Sequence, residues 1–353
     1  MKLQKRMPKA KKPKKICILQ NKKKGREALD INLKNDTQLD DVIEKYENIA
    51  VTGHVRPDGD CLGSCLGIKN YINNKFPSKK VTVYLEEIMD RLNFLPGVEE
   101  IDHDFNKKAG RKHDLIIVLD ASSFDRLGDS EAIFEATESR FSIDHHATNT
   151  HFVDNLVLEP ESSSTCELVY TMLDPKYVDY NVAMCLYTGM ITDSGVFKYS
   201  STSKRTMIVA GELMDRKIPF QTIIDGAFYS KTYEQAKVCA YAIENVKFAF
   251  DGKCAYAIVD KNAMEKCGVT PKDMDGTIDE LRLIIGVECA LLVYQIDEND
   301  YKISLRAKDY MEVDKIAVEF GGGGHVRAAG ASFDGNLEAN LKKILELIGA
   351  QIR

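Results

Sequence analysis

Short apolar runs alternate with amphipathic segments along the first two-thirds of the chain, a pattern typical of alternating strands and helices. The run LIIVL at residues 115–119 has five consecutive apolar positions, as expected of a strand that is buried on both faces of a sheet. Shorter runs predict further strands at residues 49–51, 81–85 and 140–143. Apolar spacings of three or four residues predict helices at residues 40–47, 61–74, 162–173, 181–191 and 202–216. The alternation predicts an α/β fold with a doubly wound, mainly parallel sheet.

A second, smaller α/β domain is predicted in the last third of the chain. Residues 217–233 have weak patterning, with Pro219 near their start, and predict a linker between a first domain at 39–216 and a second at 234–353. Apolar runs predict strands in the second domain at residues 254–259, 289–296 and 301–305. Residues 337–348 have the pattern of an amphipathic helix. Two such domains predict a cleft between them in which a ligand binds.

Histidine and aspartate residues follow the carboxyl ends of the predicted strands, and these ends lie along one edge of a parallel sheet. Eight of them follow four predicted segments: His54, Asp58 and Asp60; Asp120; Asp144, His145 and His146; and Asp193. The last segment is the end of a helix rather than a strand. Open α/β sheets bind their ligands at the carboxyl ends of the strands, so these side chains are predicted to gather there.

Carboxylates with a minority of imidazoles and no thiolate are typical ligands of hard divalent cations, so the residues predict a Mn²⁺ or Mg²⁺ centre rather than a zinc site. A single Asp or His at the end of a strand is more often a cap or a turn residue. Four segments that all end in this way favour a metal site. Two ions about 4 Å apart can clamp the attacking and leaving oxygens of a displacement at phosphorus, so phosphoester hydrolysis is the predicted chemistry.

The composition indicates a globular protein. Of the 353 residues 44% are hydrophobic, no run of about 18 apolar residues occurs, and the Lys-rich amino terminus lacks the apolar stretch of a signal peptide. We therefore expect a cytoplasmic protein without a membrane segment. The nine cysteines include no Cys-x-x-Cys pair, which predicts neither disulfides nor structural zinc.

Charge is distributed unevenly along the chain. Residues 1–26 contain twelve Lys or Arg, and all 54 Asp and Glu lie beyond them. Because phosphate neutralisation dominates affinity for long nucleic acids, the acidic remainder is a poor general binder of such strands, although metal ions can admit a short nucleotide. The basic tail, residues 1–38, either tethers RNA or is a solvated, disordered segment, and the composition leaves both open.

Five motifs in order resemble those of one family: GHVRPDGD at 53–60, VLDAS at 118–122, DHH at 144–146, TDSGVF at 192–197 and GGGGHVRAAG at 321–330. The first four resemble the motifs of the DHH phosphoesterase superfamily. The fifth resembles the signature of the DHH-associated carboxy-terminal domain. The resemblance covers about residues 40–350, and the chain is similar to the stand-alone bacterial type.

The resemblance implies a role for each residue of the predicted metal site. His54 and Asp58 would hold one ion, and three residues would hold the other: Asp60, His145 and Asp193. Asp120 would bridge the two ions. His146 would face the scissile phosphate and stabilise its charge or the leaving oxygen, and Asp144 would orient an imidazole.

The second domain would select the substrate. The resemblance matches Arg306 and His325 to positions that contact the nucleotide away from the cleaved bond. Glycines before His325 let backbone N–H groups approach an anion, although such a run is more often only a turn: Gly322, Gly323 and Gly324. Arg327 and Arg126 are further cations near the motifs, and each is equally expected to be a structural ion-pair partner.

The resemblance implies a phosphoesterase that uses two Mn²⁺, with Mg²⁺ or Co²⁺ as alternatives. It would hydrolyse RNA of about two to five nucleotides (nanoRNA) to mononucleotides and convert pAp to AMP. The main alternative is a cyclic-di-AMP or pApA phosphodiesterase. A RecJ-like exonuclease, an inorganic pyrophosphatase and a nucleotide-binding regulator without catalysis are less favoured. The apolar helices after Asn181 suggest a homodimer.

Overall fold

The structure, a computed structural model, describes residues 17–18, 39–107, 110–274 and 276–353. The chain divides after Ser230 into two compact units. This boundary lies inside the segment that the sequence predicts to be a linker. The predicted basic tail lies outside the described residues, apart from Cys17–Ile18.

The first unit is built on a six-stranded sheet in which every neighbouring pair of strands is parallel. Its strands are β1 Cys17–Ile18, β2 Asn48–Thr52, β3 Lys80–Tyr84, β4 Leu115–Leu119, β5 Ser139–Asp144 and β6 Leu156–Leu158. The order across the sheet is β1-β6-β5-β4-β2-β3. After β2 the chain forms β3 on one side of β2 and then β4 on the other side. The strand order therefore reverses between β2 and β4, and ligands of such sheets bind at this switch point.

Both faces of this sheet are covered, as in a doubly wound fold. The helices are α1 Leu39–Glu44, α2 Gly59–Lys75, α3 Glu131–Ala136, α4 Thr165–Met172, α5 Tyr180–Asp193, α6 Lys204–Met214 and α7 Phe220–Ile224. Ile117 of β4 belongs to the core that contains α2 and α5, whereas its neighbour Ile116 packs in a second core with Phe134 of α3. The fully apolar run of β4 follows from this burial on two sides, and the predicted fold class is confirmed.

Glycines allow α2 and α5 to pack closely. A Cβ atom added at Gly59 would lie 2.2 Å from Thr192 Oγ1, and one at Gly63 would lie 2.4 Å from the carbonyl oxygen of Cys185. Gly67, one turn further along α2, would meet Leu186 in the same way. The i, i+4 spacing puts the three glycines on one face of α2, so the end of α5 comes against the start of α2.

Two details of the first unit differ from the sequence predictions. The predicted linker contains α7 and a π-helical turn, Asp225–Tyr229, and it buries Ile223 and Ala227 in the core of the first unit. The apolar residues of α5 from Val182 to Ile191 are all buried within the unit itself. This packing within one chain explains why these residues are apolar. They therefore no longer support the prediction of a homodimer.

The second unit contains a mixed sheet between two layers of helices. Its elements are α8 Tyr233–Glu244, β7 Lys247–Ala249, β8 Cys254–Val259, α9 Lys261–Cys267, α10 Thr277–Arg282, β9 Cys289–Asp297, β10 Asp300–Ala307, α11 Val313–Val318, β11 Gly323–His325, β12 Ala328–Asp334 and α12 Leu337–Gly349. The strand order is β11-β12-β10-β9-β8-β7, and only β8 and β9 run parallel among these described strands. Alternate residues of β9 face different cores, Leu292 toward α8 to α10 and Leu291 toward α11 and α12.

Among the described residues, no helix combines the length and the apolar character needed to cross a membrane. Eight cysteines, from Cys61 to Cys289, are buried free thiols.

Candidate metal centre

The predicted metal ligands lie at the carboxyl edge of the parallel sheet. His54 follows β2 by two residues, and Asp58 is the N-cap of α2, where its carboxylate accepts hydrogen bonds from the backbone N–H groups of Asp60 and Cys61. Three more come from the ends of other elements: Asp120 directly after β4, His145 directly after β5, and Asp193 as the last residue of α5. The sheet topology therefore brings together residues that are up to 139 positions apart in the sequence.

Asp120 faces two histidines with its two different oxygens. Its Oδ2 lies 3.5 Å from Nε2 of His54, and its Oδ1 lies 3.7 Å from Nε2 of His145. The side chain is 2% exposed. A carboxylate in this position can bind one cation with each oxygen, which is the geometry of a bridging ligand.

Two groups of donor atoms flank Asp120. In the first, Nε2 of His54 also lies 3.7 Å from Oδ1 of Asp58. In the second, Nε2 of His145 lies 3.9 Å from Oδ2 of Asp60 and 3.5 Å from Oδ2 of Asp193. Besides these two groups, Asp120 also lies with His145 and His146 in a third cluster of possible donor atoms.

The spacing of these atoms fits a cation. An N–H···O hydrogen bond spans about 2.7–3.2 Å, whereas the facing atoms in both groups lie 3.5–3.9 Å apart. Two ligand atoms that each lie about 2.1 Å from one small divalent ion are at most about 4.2 Å apart. Both groups therefore have the dimensions of a divalent cation site, and their four carboxylates and two imidazoles are donors for such an ion.

Both imidazoles present the same nitrogen to the centre. Nδ1 of His54 lies 2.8 Å from the carbonyl oxygen of Val55, and Nδ1 of His145 lies 3.3 Å from that of Ser162. A carbonyl oxygen only accepts, so each Nδ1 carries a proton and each Nε2 is the nitrogen that a metal ion would bind.

The carboxylates repel one another in the absence of a cation. Burial, followed by the negative charges of Asp120 and Asp193, raises the pKa of Asp60 well above its ordinary value. Burial also raises the pKa of Asp193 to about 7, in spite of the favourable charge of His145, because Asp120 and Asp58 add further repulsion. Divalent ions would relieve this repulsion, so the electrostatics agree with the spacing.

The backbone is strained at Asp120 and in the turn that follows Asp193. Asp120 has φ +57°, in the left-handed region that few residues other than glycine adopt. Directly after Asp193 and Ser194, the residues Gly195, Val196 and Phe197 all have φ between +57° and +63°. The buried Ser194 supports this turn by accepting a hydrogen bond from the backbone N–H of Phe197. Such strain is concentrated at functional sites, where the surrounding structure maintains it.

Asp144 contacts His146. Its Oδ1 lies 2.8 Å from Nδ1 of His146 and also accepts the backbone N–H groups of His145 and His146, while Oδ2 accepts from the side chain of Asn149 at 2.6 Å. Burial opposes protonation of His146, but the bond to Asp144 and the charge of Asp120 raise the pKa of His146 to about 9. The fully buried Asp144 thus fixes the orientation of the ring beside the metal centre.

The amino end of α4 also belongs to the centre, which the sequence analysis missed. The backbone N–H groups of Thr165 and Cys166 donate to the two oxygens of Asp60, at 2.7 and 2.9 Å. The hydroxyl of Thr165 donates to Oδ1 of Asp120 at 2.9 Å. A signal was present, because Ser164 and Glu167 have the S-x-x-E spacing of a helix start.

Comparison with known proteins agrees with the motifs. The DHH family model for the N-terminal domain matches residues 48–190, and the DHHA1 domain model matches residues 251–353. A protein of Mycoplasma genitalium named bifunctional oligoribonuclease and PAP phosphatase NrnA is 30% identical over 324 residues, which cover 88% of this chain and 95% of that protein. The chain belongs to the DHH family. As a DHH-family protein it is a hydrolase that acts on phosphoester bonds.

Two further relatives cover most of this DHH-family chain. The Bacillus subtilis protein of the same name is 28% identical over 304 residues, which cover 84% of this chain and 92% of that one. The crystal structure of an exopolyphosphatase-related protein from Bacteroides fragilis superposes with a TM-score of 0.82 at 28% identity, covering 88% of this chain and 94% of that one. The Bacteroides fragilis protein therefore has the same fold over most of its length.

The three arginines predicted to bind substrate have different surroundings in this DHH-family hydrolase. Arg306, near the end of β10, is half-buried, and its guanidinium donates to the carbonyl oxygen of Leu305 at 3.1 Å. Arg327 donates to the carbonyl oxygen of Met311 at 2.6 Å. Arg126, in the first unit, is half-buried. The described contacts of Arg306 and Arg327 are with backbone carbonyls rather than with carboxylates.

The glycine run forms a turn and part of a hairpin, and a turn is the commoner use of such a run. Gly321, at φ +70°, ends α11, and Gly322 donates its backbone N–H to the carbonyl oxygen of Ala317 at 2.9 Å. Gly323 and Gly324 form β11 with His325 and pair with β12. The N–H of Gly322 is therefore not available to an anion as predicted, because it caps a helix.

Close packing explains why glycine is needed in this hairpin. A Cβ atom at Gly322 would lie 2.2 Å from the carbonyl oxygen of Gly330. One at Gly324, whose φ is +144°, would lie 2.5 Å from that of Ala328. The run is thus required by the turn and the strand pairing, whatever the substrate.

Proposed function

We propose that this chain hydrolyses RNA of about two to five nucleotides to mononucleotides and converts pAp to AMP, with two Mn²⁺ ions in the site around Asp120. The observation that carries the proposal is the position of Asp120, whose two oxygens face two separate groups of ligand atoms. The substrates are supported by the names of the relatives from Mycoplasma genitalium and Bacillus subtilis.

Six residues of the first unit would bind the two metal ions. His54, Asp58 and Asp120 would hold one ion, and Asp60, His145 and Asp193 would hold the other with Asp120. When bound, a pair of such ions supplies Lewis acid activation of the attacking water and of the phosphoryl group. Oxygen-rich ligation with two imidazoles favours Mn²⁺, and Mg²⁺ and Co²⁺ are alternatives.

His146 would act on the phosphate during bond cleavage. Its Nδ1 is engaged by Asp144, so Nε2 is the nitrogen that can contact a substrate. A protonated ring would stabilise the negative charge that develops on the phosphate, and it can donate its proton to the leaving oxygen. Asp144 favours this protonated form through its hydrogen bond to Nδ1 and its negative charge, which outweigh the opposing effect of burial.

The second unit would recognise the rest of the nucleotide. Arg306 provides a planar guanidinium for a phosphate or a base, and His325 lies within the residues that the DHHA1 domain model matches. The resemblance of these two positions to substrate-binding positions of the family supports the assignment. Gly323 and Gly324 would act by holding the hairpin that carries His325.

Turnover of four substrates with Mn²⁺ tests the proposal: pAp, a diribonucleotide, cyclic-di-AMP and an RNA of about 24 nucleotides. We expect rapid hydrolysis of the first two and slow hydrolysis of the others. Dominant cleavage of cyclic-di-AMP would assign the chain to second-messenger hydrolysis, and equal rates on the long and short RNA would contradict the proposed substrate class. The variant Asp120→Ala should be inactive on all four.

A further inference from the structure

The segment that runs from the end of β6 into the first turn of α4, residues 159–167, contacts three of the proposed metal ligands. The carbonyl of Ser162 faces Nδ1 of His145, and the amino end of α4 donates hydrogen bonds to Asp60 and Asp120. Apart from Asp193, these are all the proposed ligands of the second ion. The position of the segment therefore determines the shape of one half of the centre.

A buried carboxylate holds the carboxyl end of this segment. Glu167, which is 0% exposed, accepts hydrogen bonds at Oε2 from the backbone N–H and the hydroxyl of Ser163, at 3.1 and 2.5 Å, and from the hydroxyl of Thr206 at 2.8 Å. Its other oxygen, Oε1, lies 2.5 Å from Nε of Arg205. Both carboxylate oxygens of Glu167 therefore have hydrogen-bond partners. A buried charge needs such partners because its desolvation costs free energy.

Arg205, from α6, joins the two ends of the segment. Its Nε contacts Glu167, while its Nη1 lies 2.6 Å from Oε1 of Glu159. The backbone N–H of Glu159 in turn donates to the carbonyl oxygen of Asp144 in β5. One planar guanidinium therefore holds two carboxylates eight residues apart, a geometry that lysine cannot reproduce.

We propose that Arg205 is a positioning residue for the metal centre, which it controls through Glu167, Glu159 and the segment that they hold. The inference rests on the proposed two-metal function and adds a selective effect. His54 and Asp58 are positioned by their own neighbours, Val55 and the first turn of α2. Loss of Arg205 therefore weakens the site of Asp60, His145 and Asp193 most. The other site shares only Asp120 with the segment and is affected less.

A structural role alone predicts a different result. A buried ion pair contributes little net stability compared with apolar residues of the same volume, so its main effect here is on geometry. If Arg205 served only the fold, its loss would lower the melting temperature and weaken both metal sites together, or neither. The selectivity between the two sites distinguishes positioning from stability.

Calorimetric titration of the apoprotein with Mn²⁺, together with EPR spectra of the loaded protein, tests the inference. We expect the wild type to bind two ions per chain, with the EPR signal of a coupled pair.

Arg205→Lys should weaken one binding step about tenfold and leave the other step within about twofold. The double variant Arg205→Met with Glu167→Gln, which leaves no unpaired charge at the fully buried position 167, should show the EPR signal of a single uncoupled ion. Arg216→Met, which removes a half-buried arginine shortly after α6, is the matched control and should bind as the wild type does.

Each outcome decides between the inference and the function on which it rests. If the wild type binds two ions and both Arg205 variants do so with unchanged affinities, Arg205 is not a positioning residue, and the proposed function stands. Equal weakening of both steps, with a lowered melting temperature in EDTA, also overturns the inference. If the wild type binds fewer than two ions per chain, the proposed two-metal function itself is wrong, and the inference fails with it.

Discussion

The hydroxyl of Thr165 donates a 2.9 Å hydrogen bond to Oδ1 of Asp120, the same oxygen that faces His145. This bond fixes the rotation of the carboxylate that faces both groups of ligand atoms. Thr165→Val keeps the size of the side chain and removes the donor. We predict that the affinity for Mn²⁺ falls about tenfold, because partners behind a metal ligand typically have effects of this size.

Thr188→Val is the control for this change. Thr188 is equally buried, but its hydroxyl donates to a backbone carbonyl, that of Met184, within α5. Calorimetric titration with Mn²⁺ should give wild-type affinity for Thr188→Val. The role of Thr165 would be refuted by equal affinities in the two variants.

Asp144→Asn tests the orientation of His146. The amide keeps the size of the carboxylate but lacks its charge, so it no longer favours the protonated ring with the proton on Nδ1. We predict that turnover of pAp falls about a hundredfold or more, while the protein still binds two Mn²⁺. Asp154→Asn, at an exposed position, should leave turnover unchanged. A variant of Asp144 that lost metal binding in parallel with activity would show that Asp144 acts on the ligands rather than on His146.

Two glycine-to-alanine substitutions should have opposite effects on stability. In Gly63→Ala the new Cβ would lie 2.4 Å from the carbonyl oxygen of Cys185, so α2 and α5 must move apart, and we predict a loss of about 1–3 kcal/mol. Gly211 of α6 has no atom within 4 Å of the corresponding position, so Gly211→Ala should gain about 0.5–1 kcal/mol from helix propensity. Urea unfolding of the apoproteins measures both, and a neutral Gly63→Ala would contradict the close helix contact.

Asp114 should make stability depend on pH. Its carboxylate accepts hydrogen bonds from the backbone and the side chain of Asn48 and from the backbone of Glu47, and these bonds lower its pKa below the ordinary 3.8. A lowered pKa in the folded state gives a stabilisation that is present above pH about 4 and is lost as the pH falls through the folded pKa. We predict that Asp114→Ala lowers the free energy of unfolding at pH 7 in EDTA and that the difference shrinks below pH 4. The exposed Asp154→Ala is the control, and a difference independent of pH would contradict the assignment.

The sheet and the gathering of the candidate ligands at its edge could be predicted because their signals are local. The run at 115–119 is apolar throughout since it is buried on both faces, and its bounds as β4 are those that the pattern predicts. His54, Asp120 and His145 each follow a strand directly or nearly so, and parallel strands bring such positions to one edge. The family motifs then separated them into two groups.

The support of the site depends on long-range pairs that no local pattern reveals. Glu167 meets Arg205 from another helix, and Asp60 meets the backbone of Thr165, 105 residues away. The S-x-x-E spacing at Ser164 marks the start of α4, but nothing in the sequence shows which carboxylate its backbone N–H groups meet. Glycine is equally ambiguous, since the run at 321–324 has a composition suited to an anion site but is used to end α11 and form a hairpin.

The most direct test of the account is an anomalous diffraction map at the manganese absorption edge, from crystals grown with Mn²⁺. We predict two peaks about 4 Å apart, one beside His54 and Asp58 and the other beside His145 and Asp193, with one oxygen of Asp120 bound to each. A single peak, or two peaks that do not share Asp120, would contradict the two-metal centre.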